Sequence, residues 1–221
     1  SLGNDELKWE TSEQINVGLD ARLFNDRLTL SMDWFNKKTK DLLITGTTPS
    51  LIIGGTTSPI NAGNVSNKGF EFEIGWRDNI GDFNYSIKGN LATLKNKVTY
   101  LDPSLTRANG TTFHTNTITY FEEGYPVYYF RGYRCEGINP EDGEPIFADL
   151  DNNGIINEDD KTYIGDAIPD FTYGLTLTAA WKGLDLTIFG SGSYGNDVFS
   201  CINRPDPVSY THLRAHEPLA N

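Results

Sequence analysis

The chain is poor in the residues that most soluble enzymes use for chemistry. Its 221 residues include 2 Cys, 3 His and 1 Met. No G-x-S-x-G, H-E-x-x-H or P-loop pattern occurs, so the common nucleophile-elbow, zinc-protease and phosphate-cradle chemistries have no motif to rest on. Cys135 and Cys201 lie far apart with no C-x-x-C spacing, and are read as unpaired thiols, with a disulfide in an oxidising compartment as the alternative. No run approaches the roughly 20 apolar residues that a membrane helix needs. Basic clusters are also missing: Lys37-Lys38-Thr39-Lys40 is short and reads as a solvated strand end. With a formal net charge of -12 the chain is not expected to bind nucleic acid. Much of the acidity falls between Glu122 and Asp170, in a segment expected outside any membrane.

The two ends carry little about the fold. Ser1-Leu2-Gly3 opens the chain without an initiator Met or a leader, so targeting is not read from it. The stretch Val208-Ser209-Tyr210-Thr211-His212-Leu213-Arg214-Ala215-His216-Glu217 resembles the translated read-through of a sequencing-library adaptor. Residues 208–221 are therefore expected to be non-native, and residues 1–207 to form one domain. His212 and His216 fall in that tail, which leaves His114, in a Thr- and Asn-rich loop, as the one native histidine.

What is present is alternation. Ile15, Val17, Leu19, Ala21 and Leu23 alternate with Gln14, Asn16, Gly18, Asp20 and Arg22, the period-two pattern of a strand with one apolar face. Phe24-Asn25-Asp26-Arg27 supplies turn residues, and the pattern resumes with Leu28, Leu30, Met32 and Trp34. A second hairpin runs through Phe70, Phe72, Ile74 and Trp76, turns over residues 78–82, and returns through Phe83, Tyr85, Ile87, Gly89 and Leu91. Phe171 to Trp181 forms a third, which Lys182-Gly183 turns into Leu184, Leu186 and Ile188.

Between hairpins the connections are long: residues 37–68, and residues 97–169. Compact domains rarely carry structureless loops of that length. Short turns at one end and long loops at the other are the habit of outer-membrane barrels. The strand entering residues 97–169 runs up and the one leaving runs down, so that segment must hold an even number of spanning strands, zero included; a further hairpin is expected around residues 120–133. Trp9, Trp34, Trp76 and Trp181 all fall near expected strand ends, where indole suits a lipid–water boundary. A soluble sandwich would produce the same alternation. Strand length favours the barrel, because these runs reach the about 9 to 11 residues that cross a bilayer at a tilt, against about five or six in sandwiches. The expected fold is an all-β, antiparallel transmembrane β-barrel fragment with long extracellular loops. Asp20, Arg22, Asp33, Glu71, Glu73, Arg77 and Lys88 would then line its interior.

Several stretches, in order, resemble the C-terminal barrel of SusC/RagA-type TonB-linked proteins: Leu7-Lys8-Trp9-Glu10-Thr11, Phe24-Asn25-Asp26-Arg27-Leu28, Lys37-Lys38-Thr39-Lys40-Asp41-Leu42-Leu43, and Asn61-Ala62-Gly63-Asn64-Val65-Ser66-Asn67-Lys68-Gly69-Phe70-Glu71. Gly89-Asn90, Asn96-Lys97-Val98, Tyr129-Phe130-Arg131-Gly132-Tyr133, Gly137-Ile138, Ile164-Gly165 with Pro169, and Gly195-Asn196-Asp197 continue the likeness to about Asn203. The resemblance implies about six strands of a roughly 22-stranded, plugged barrel in the outer membrane of a Bacteroidetes-like Gram-negative cell. It implies import of oligosaccharides or peptides, a SusD-like surface lipoprotein as lid, and energy from the TonB complex acting through an N-terminal region that this segment lacks. A siderophore-type TonB receptor without a lid, and a soluble calcium-stabilised glycan-binding β-sandwich, are the competing readings. No enzymatic activity is expected.

The sharpest local motif is Asp149-Leu150-Asp151-Asn152-Asn153-Gly154-Ile155-Ile156-Asn157-Glu158-Asp159-Asp160. It fits the twelve-residue calcium loop: Asp149, Asp151 and Asn153 at positions 1, 3 and 5, Gly154 at the sharp turn, the Ile155 carbonyl at 7, Asn157 at 9 and Asp160 at 12. Asp160 stands where a bidentate Glu is usual, which shortens the reach; a turn holding no ion is the competing reading. Gly190-Ser191-Gly192-Ser193-Tyr194-Gly195 matches G-x-G-x-x-G but continues a strand and opens no helix, so it reads as small residues in a tilted strand. Glu122 and Glu123 read as solvated loop acids.

Overall fold

The computed structural model describes residues 7–45, 59–113 and 115–200. Cys201, His114, His212, His216 and the 208–221 tail lie outside the described residues. Five strands come first: β1 (Thr11–Leu23), β2 (Leu28–Thr45), β3 (Pro59–Ile80), β4 (Phe83–Thr93) and β5 (Lys95–Leu101). Eight short ones follow: β6 (Ala108–Asn109), β7 (Thr112–Phe113), β8 (Asn116–Thr117), β9 (Thr119–Phe121), β10 (Tyr129–Tyr133), β11 (Cys135–Ile138), β12 (Pro145–Phe147) and β13 (Lys161–Gly165). Then come β14 (Phe171–Trp181) and β15 (Leu184–Tyr194). Among the described residues no helix is long and apolar enough to cross a membrane.

The main sheet is antiparallel with order β1-β2-β3-β4-β14-β15, and β5 pairs with the first half of β3. Register places Leu19, Met32, Phe72, Leu91, Tyr173 and Gly192 in one cross-strand row. Every apolar position of the three expected hairpins therefore falls on one face. That face is bare: Leu19 is 67% exposed, Leu175 47% and Ile188 53%. A sandwich would cover these side chains with a second sheet about 10 Å away, so the soluble reading fails here and lipid is the solvent that the face suits. Phe171 and Tyr194 stack at one end of β14–β15, at 5.1 Å, and Trp181 closes the other. The 11 residues of β14 cover ~33 Å along the strand, or ~25 Å once tilted, which is the height of a barrel's apolar band.

Tight turns close one end. Lys182 (φ 47°) and Gly183 (φ 88°) both take left-handed backbone, as a two-residue hairpin turn with the right twist requires. The β1–β2 turn holds Phe24, Asn25 and Asp26 at φ 55°, 56° and 64°. Its cost is offset by neighbours on β3: Arg77 donates its backbone N–H to the Arg27 carbonyl (2.8 Å) and its Nε–H to the Asp26 carbonyl (3.0 Å), and Arg27 pairs with Asp78 at 3.2 Å.

The other end departs from expectation in three ways. β2 has 18 residues and β3 has 22, so the ladder continues well past the band into what reads as loop in the sequence. Lys37 to Lys40 are not a strand end but ladder residues opposite Gln14 to Thr11, with Lys40 2.7 Å from Glu13. Trp34 and Trp76 accordingly sit inside long strands, at the edges of the apolar band and not at strand ends: Trp34 pairs with Phe70 and Trp76 lies 6.2 Å from Phe24. Residues 46–58 of this connection lie outside the described residues.

Among the described residues of 97–169 no strand spans the band, because β4 pairs directly with β14 from Phe83↔Trp181 to Thr93↔Phe171. The expected hairpin is present as β9 and β10, joined at Tyr120↔Tyr129, but it belongs to a separate four-stranded sheet of order β13-β10-β9-β6. Here the chain folds as water-soluble proteins do. Ala62, Val65, Val98, Leu101, Ala108 and Phe121 form a buried cluster, with Leu42, Ile44 and Ile60 from β2 and β3 packed on it. That cluster explains why the long strands run on past the apolar band: they are one wall of a second, covered core.

Candidate functional site

Two places carry candidate function: the acidic loop of residues 149–160 and the polar face of the barrel wall. In the loop, Asn152 (φ 58°) and Gly154 (φ 80°) turn the chain so tightly that backbone N–H groups point back at the acids. Gly154 N–H donates to Asp149 Oδ2 (2.7 Å) and Asn153 N–H to Asp149 Oδ1 (3.2 Å) and Asp151 Oδ1 (3.0 Å). Chiefly the Gly154 bond holds the Asp149 carboxyl below the ordinary carboxylate range. At the far end Asp160 is fully buried and accepts from Leu150 N–H (2.7 Å) and Asn157 N–H (2.8 Å).

Carboxylate oxygens of Asp149, Asp151 and Asp160 come within 4.8 Å of one another. Oxygens on opposite sides of a Ca²⁺ stand about 5 Å apart, given bonds of about 2.3–2.6 Å, so the spacing suits a shared ion. Each Asp160 oxygen keeps a further lone pair. The other three predicted ligands are committed in part. Asn153 Oδ1 accepts from Ile155 N–H (2.7 Å) while its Nδ2 donates to Asp151 (2.7 Å). Asn157 Oδ1 caps the one-turn 3-10 helix Glu158–Asp160 by accepting from Asp159 N–H (2.7 Å), and its Nδ2 reaches the Ile155 carbonyl at 3.5 Å.

Sequence reading missed what fastens this loop to the rest. Arg131 on β10, only 10% exposed, donates to the Glu158 carbonyl (3.0 Å), lies 3.7 Å from its carboxylate and covers the Tyr120 ring at 5.8 Å. Lys161 also pairs with Glu158 and sits over Tyr133. Glu122 is likewise more than a solvated acid: it accepts from Tyr129 Oη (2.5 Å) and faces Arg107 at 3.6 Å. Burial, and then that bond, push the Tyr129 phenol above its ordinary range. Both arrangements are structural and leave no free acid–base pair.

The polar face holds all seven predicted interior residues. Asp20, Ser31, Glu73 and Asn90 share one row; Arg22, Thr29, Gly75 and Lys88 share the next; Asp33 pairs with Glu71, and Arg77 with Ser86. Near the turns this face forms a cavity of about 710 Å³ between Asp20, Arg22, Glu73, Arg77 and Lys88. Gly192 of the G-x-G-x-x-G stretch lies under Tyr173, whose Oη stands 2.6 Å from where a Cβ would be, so the small residue serves cross-strand packing on the lipid face. The resemblance motif around β3 is similarly structural. Asn61 bridges the Lys8 and Asp41 backbones, Asn64 accepts from Asp41 N–H (3.0 Å), and Asn67 pairs with Asn96.

A sheet with one bare apolar face, one charged face, turns at one end and a folded excursion at the other is the wall of a transmembrane antiparallel β-barrel. The family model for the TonB dependent receptor-like beta-barrel matches residues 1–212, and the chain belongs to that family. It is of the SusC/RagA type. TonB-dependent receptor P3 of Formosa agariphila is 36% identical over all of this chain, which spans 23% of that protein. TonB-dependent receptor SusC of Bacteroides thetaiotaomicron is 28% identical over 89% of the chain and 20% of its own length. Among solved structures, that of the RagAB peptide transporter superposes with a TM-score of 0.76 at 28% identity, over 89% of this chain and 22% of that one. The chain thus spans less than a quarter of these relatives. They are receptors and transporters, and the chain is not an enzyme.

Proposed function

We propose that this chain is part of the wall of an outer-membrane, TonB-dependent importer of large nutrients, oligosaccharides or peptides. A SusD-like surface lipoprotein closes it from outside, and the TonB complex drives it through parts of the protein beyond this segment. The observation that carries the reading is the pairing of two faces along six strands, apolar side chains bare on one and Asp20, Arg22, Glu73, Arg77 and Lys88 on the other. Such a wall suits lipid outside and a polar conduit within. Deleting the intact gene should abolish uptake of a fluorescent oligosaccharide or peptide, and the detergent-extracted protein should co-purify with a lipoprotein encoded beside it. Undiminished uptake of both probes, or a full-length product that stays monodisperse in plain buffer, overturns the reading; an importer that purifies without a lid points to the siderophore-type receptor.

We further propose that residues 149–160 bind Ca²⁺, through Asp149, Asp151, Asn153, the Ile155 carbonyl and Asp160, with Asn157 acting through water. The support is the convergence of three carboxylates at a spacing that suits one ion. Through Arg131 and Glu158 the ion would brace the extracellular sheet, and so the mouth that meets the lid. Terbium luminescence of the full-length protein tests it, and equal signal from native and Asp149→Ala protein would remove the ion.

A further inference from the structure

One element of the excursion has no neighbour. Among the described residues β11 (Cys135–Ile138) and β12 (Pro145–Phe147) pair only with each other, as a two-stranded sheet apart from the rest. Such a hairpin alone is marginal in water, because it lacks a second layer on which to bury its side chains. This one is bare on both faces. Its register puts Ile138 opposite Pro145 and Ile146 opposite Gly137, so the two isoleucines point to opposite sides, 69% and 48% exposed. Only its base is held: Ala148 N–H donates to the Arg134 carbonyl (2.9 Å), and the Phe147 ring meets Tyr133 at 5.5 Å.

Where the hairpin stands follows from the strands that carry it. Asp197, just beyond β15, donates its backbone N–H to the Asp166 carbonyl (2.6 Å), which pins the Gly165 end of β13 near the top of the apolar band. β10 runs antiparallel to β13, from Phe130 opposite Gly165 to Tyr133 opposite Lys161, and that far end is about 13 Å along the strand. The hairpin leaves from there, on the side of the excursion away from the band.

Its rim is acidic. The turn between the strands satisfies itself: Asn139 Nδ2 donates to Asp142 (2.8 Å), Glu144 N–H to Asp142 (2.9 Å) and Gly143 N–H to the Asn139 carbonyl (2.8 Å). Glu136 pairs with Arg134 at 3.3 Å, and the carboxylates of Glu141 and Glu144 meet no cation among the described residues. A second copy of this surface would bring acid against acid, and carboxylates are costly in lipid hydrocarbon. A basic-rimmed protein is the occupant that the charges favour.

We propose that the β11–β12 hairpin is a docking finger for the surface lipoprotein that closes the importer, which rests on the importer having such a lid. The lid offers an apolar cleft that takes Ile138 and Ile146 together, rimmed by Lys or Arg for Glu141 and Glu144. A flat contact would cover one isoleucine and leave the other in water.

Hydrogen exchange of the full-length protein, purified with and without the lipoprotein encoded beside it, reads this directly. Amides of residues 135–147 should exchange fast in the lid-free protein and about tenfold or more slowly in the complex. Ile138→Asp/Ile146→Asp should weaken lid retention about thirty-fold, the size of one interface hot spot, and Ile138→Leu/Ile146→Leu should keep it. Glu141→Gln/Glu144→Gln should flatten the dependence of lid association on salt. Heat-modifiable gel migration checks that each variant folds. Slow exchange without the lid would mean that other loops of the same protein cover the finger, and equal retention by the Asp and native proteins that the lid binds elsewhere; either overturns the proposal while the lid stands. A native protein that retains no lid removes the lid reading itself, and the finger with it.

Discussion

Two halves of one sheet answer to different solvents. Between the turns and the Trp34–Phe70 row, apolar side chains face outward and stay bare: Leu19 is 67% exposed. Beyond that row, in the same β3 strand, Ala62 is 0% exposed and Val65 6%. Among the described residues the buried apolar side chains all fall between Ala62 and Ala148, and none lies in β1, β4, β14 or β15. Alternation alone says that a strand has an apolar side; which liquid that side meets depends on what folds over it. In the band the answer is lipid, and in the excursion it is Phe121 and Val98.

That contrast yields its largest test in the excursion. Phe121 is 3% exposed, with its ring against Gly63, where an added Cβ would stand 2.7 Å from Cε1. Phe121→Ala should cost about 3–5 kcal/mol of local stability, read as faster protease clipping of residues 97–169 in the full-length protein, with the barrel's heat-modifiable migration unchanged. If the barrel melts with the excursion, the two regions are one cooperative unit and the comparison breaks. Next in size is Leu175→Arg, near mid-band, which should cost about 2–4 kcal/mol in urea unfolding from vesicles. Thr176→Arg, one residue on and facing the interior, should cost far less. Equal costs would mean the faces are assigned wrongly.

The band was legible because lipid and lumen impose a strict period of two. Ile15 to Leu23, Phe70 to Trp76 and Phe171 to Trp181 all lie where the alternation placed them, with the turns at 24–27 and 182–183 between them. Beyond the band legibility falls, because β3 there holds Asn61, Gly63, Asn64 and Ser66, a composition that locally reads as loop. Its strand geometry is supplied by distant partners: Asn61 ties Lys8 to Asp41, and Phe121 covers Gly63. The acidic loop was legible from spacing, since a twelve-residue pattern specifies its own turn. What anchors it, Arg131 to Glu158, was not, because that contact crosses from one element to another with no local signature.

The smaller predictions probe the seam between the regions. Gly69 lies where β3 passes Thr93, and a Cβ there would stand 1.9 Å from the Thr93 carbonyl oxygen. Thr93 Oγ1 accepts the Phe70 N–H at 2.9 Å in the same spot, so the backbone has little freedom to retreat. Gly69→Ala should therefore cost about 1–3 kcal/mol as an overpacked site in urea unfolding from vesicles, with faster proteolysis of both regions because the seam serves both. Damage confined to one side would place the boundary elsewhere.

Smallest of all should be Arg27→Ala at the turn end. The Arg27 side chain is 52% exposed, although Asp78 beside it is only 16% exposed, so loss of the pair should cost about 1 kcal/mol in the same unfolding assay. The turn is not held by that pair alone: Arg77 still ties the Asp26 and Arg27 carbonyls to β3. Removing the Arg77 side chain as well should exceed the sum of the two single losses, because the three left-handed residues at 24–26 would then be tied to β3 only by the Arg77 backbone bond and the Phe24–Trp76 ring contact, beside the turn's own Arg27 N–H to Phe24 carbonyl bond (3.3 Å). Simple additivity would show that the turn is stable without either side chain, and that the short end of the barrel, unlike the long one, owes its shape to local backbone preference.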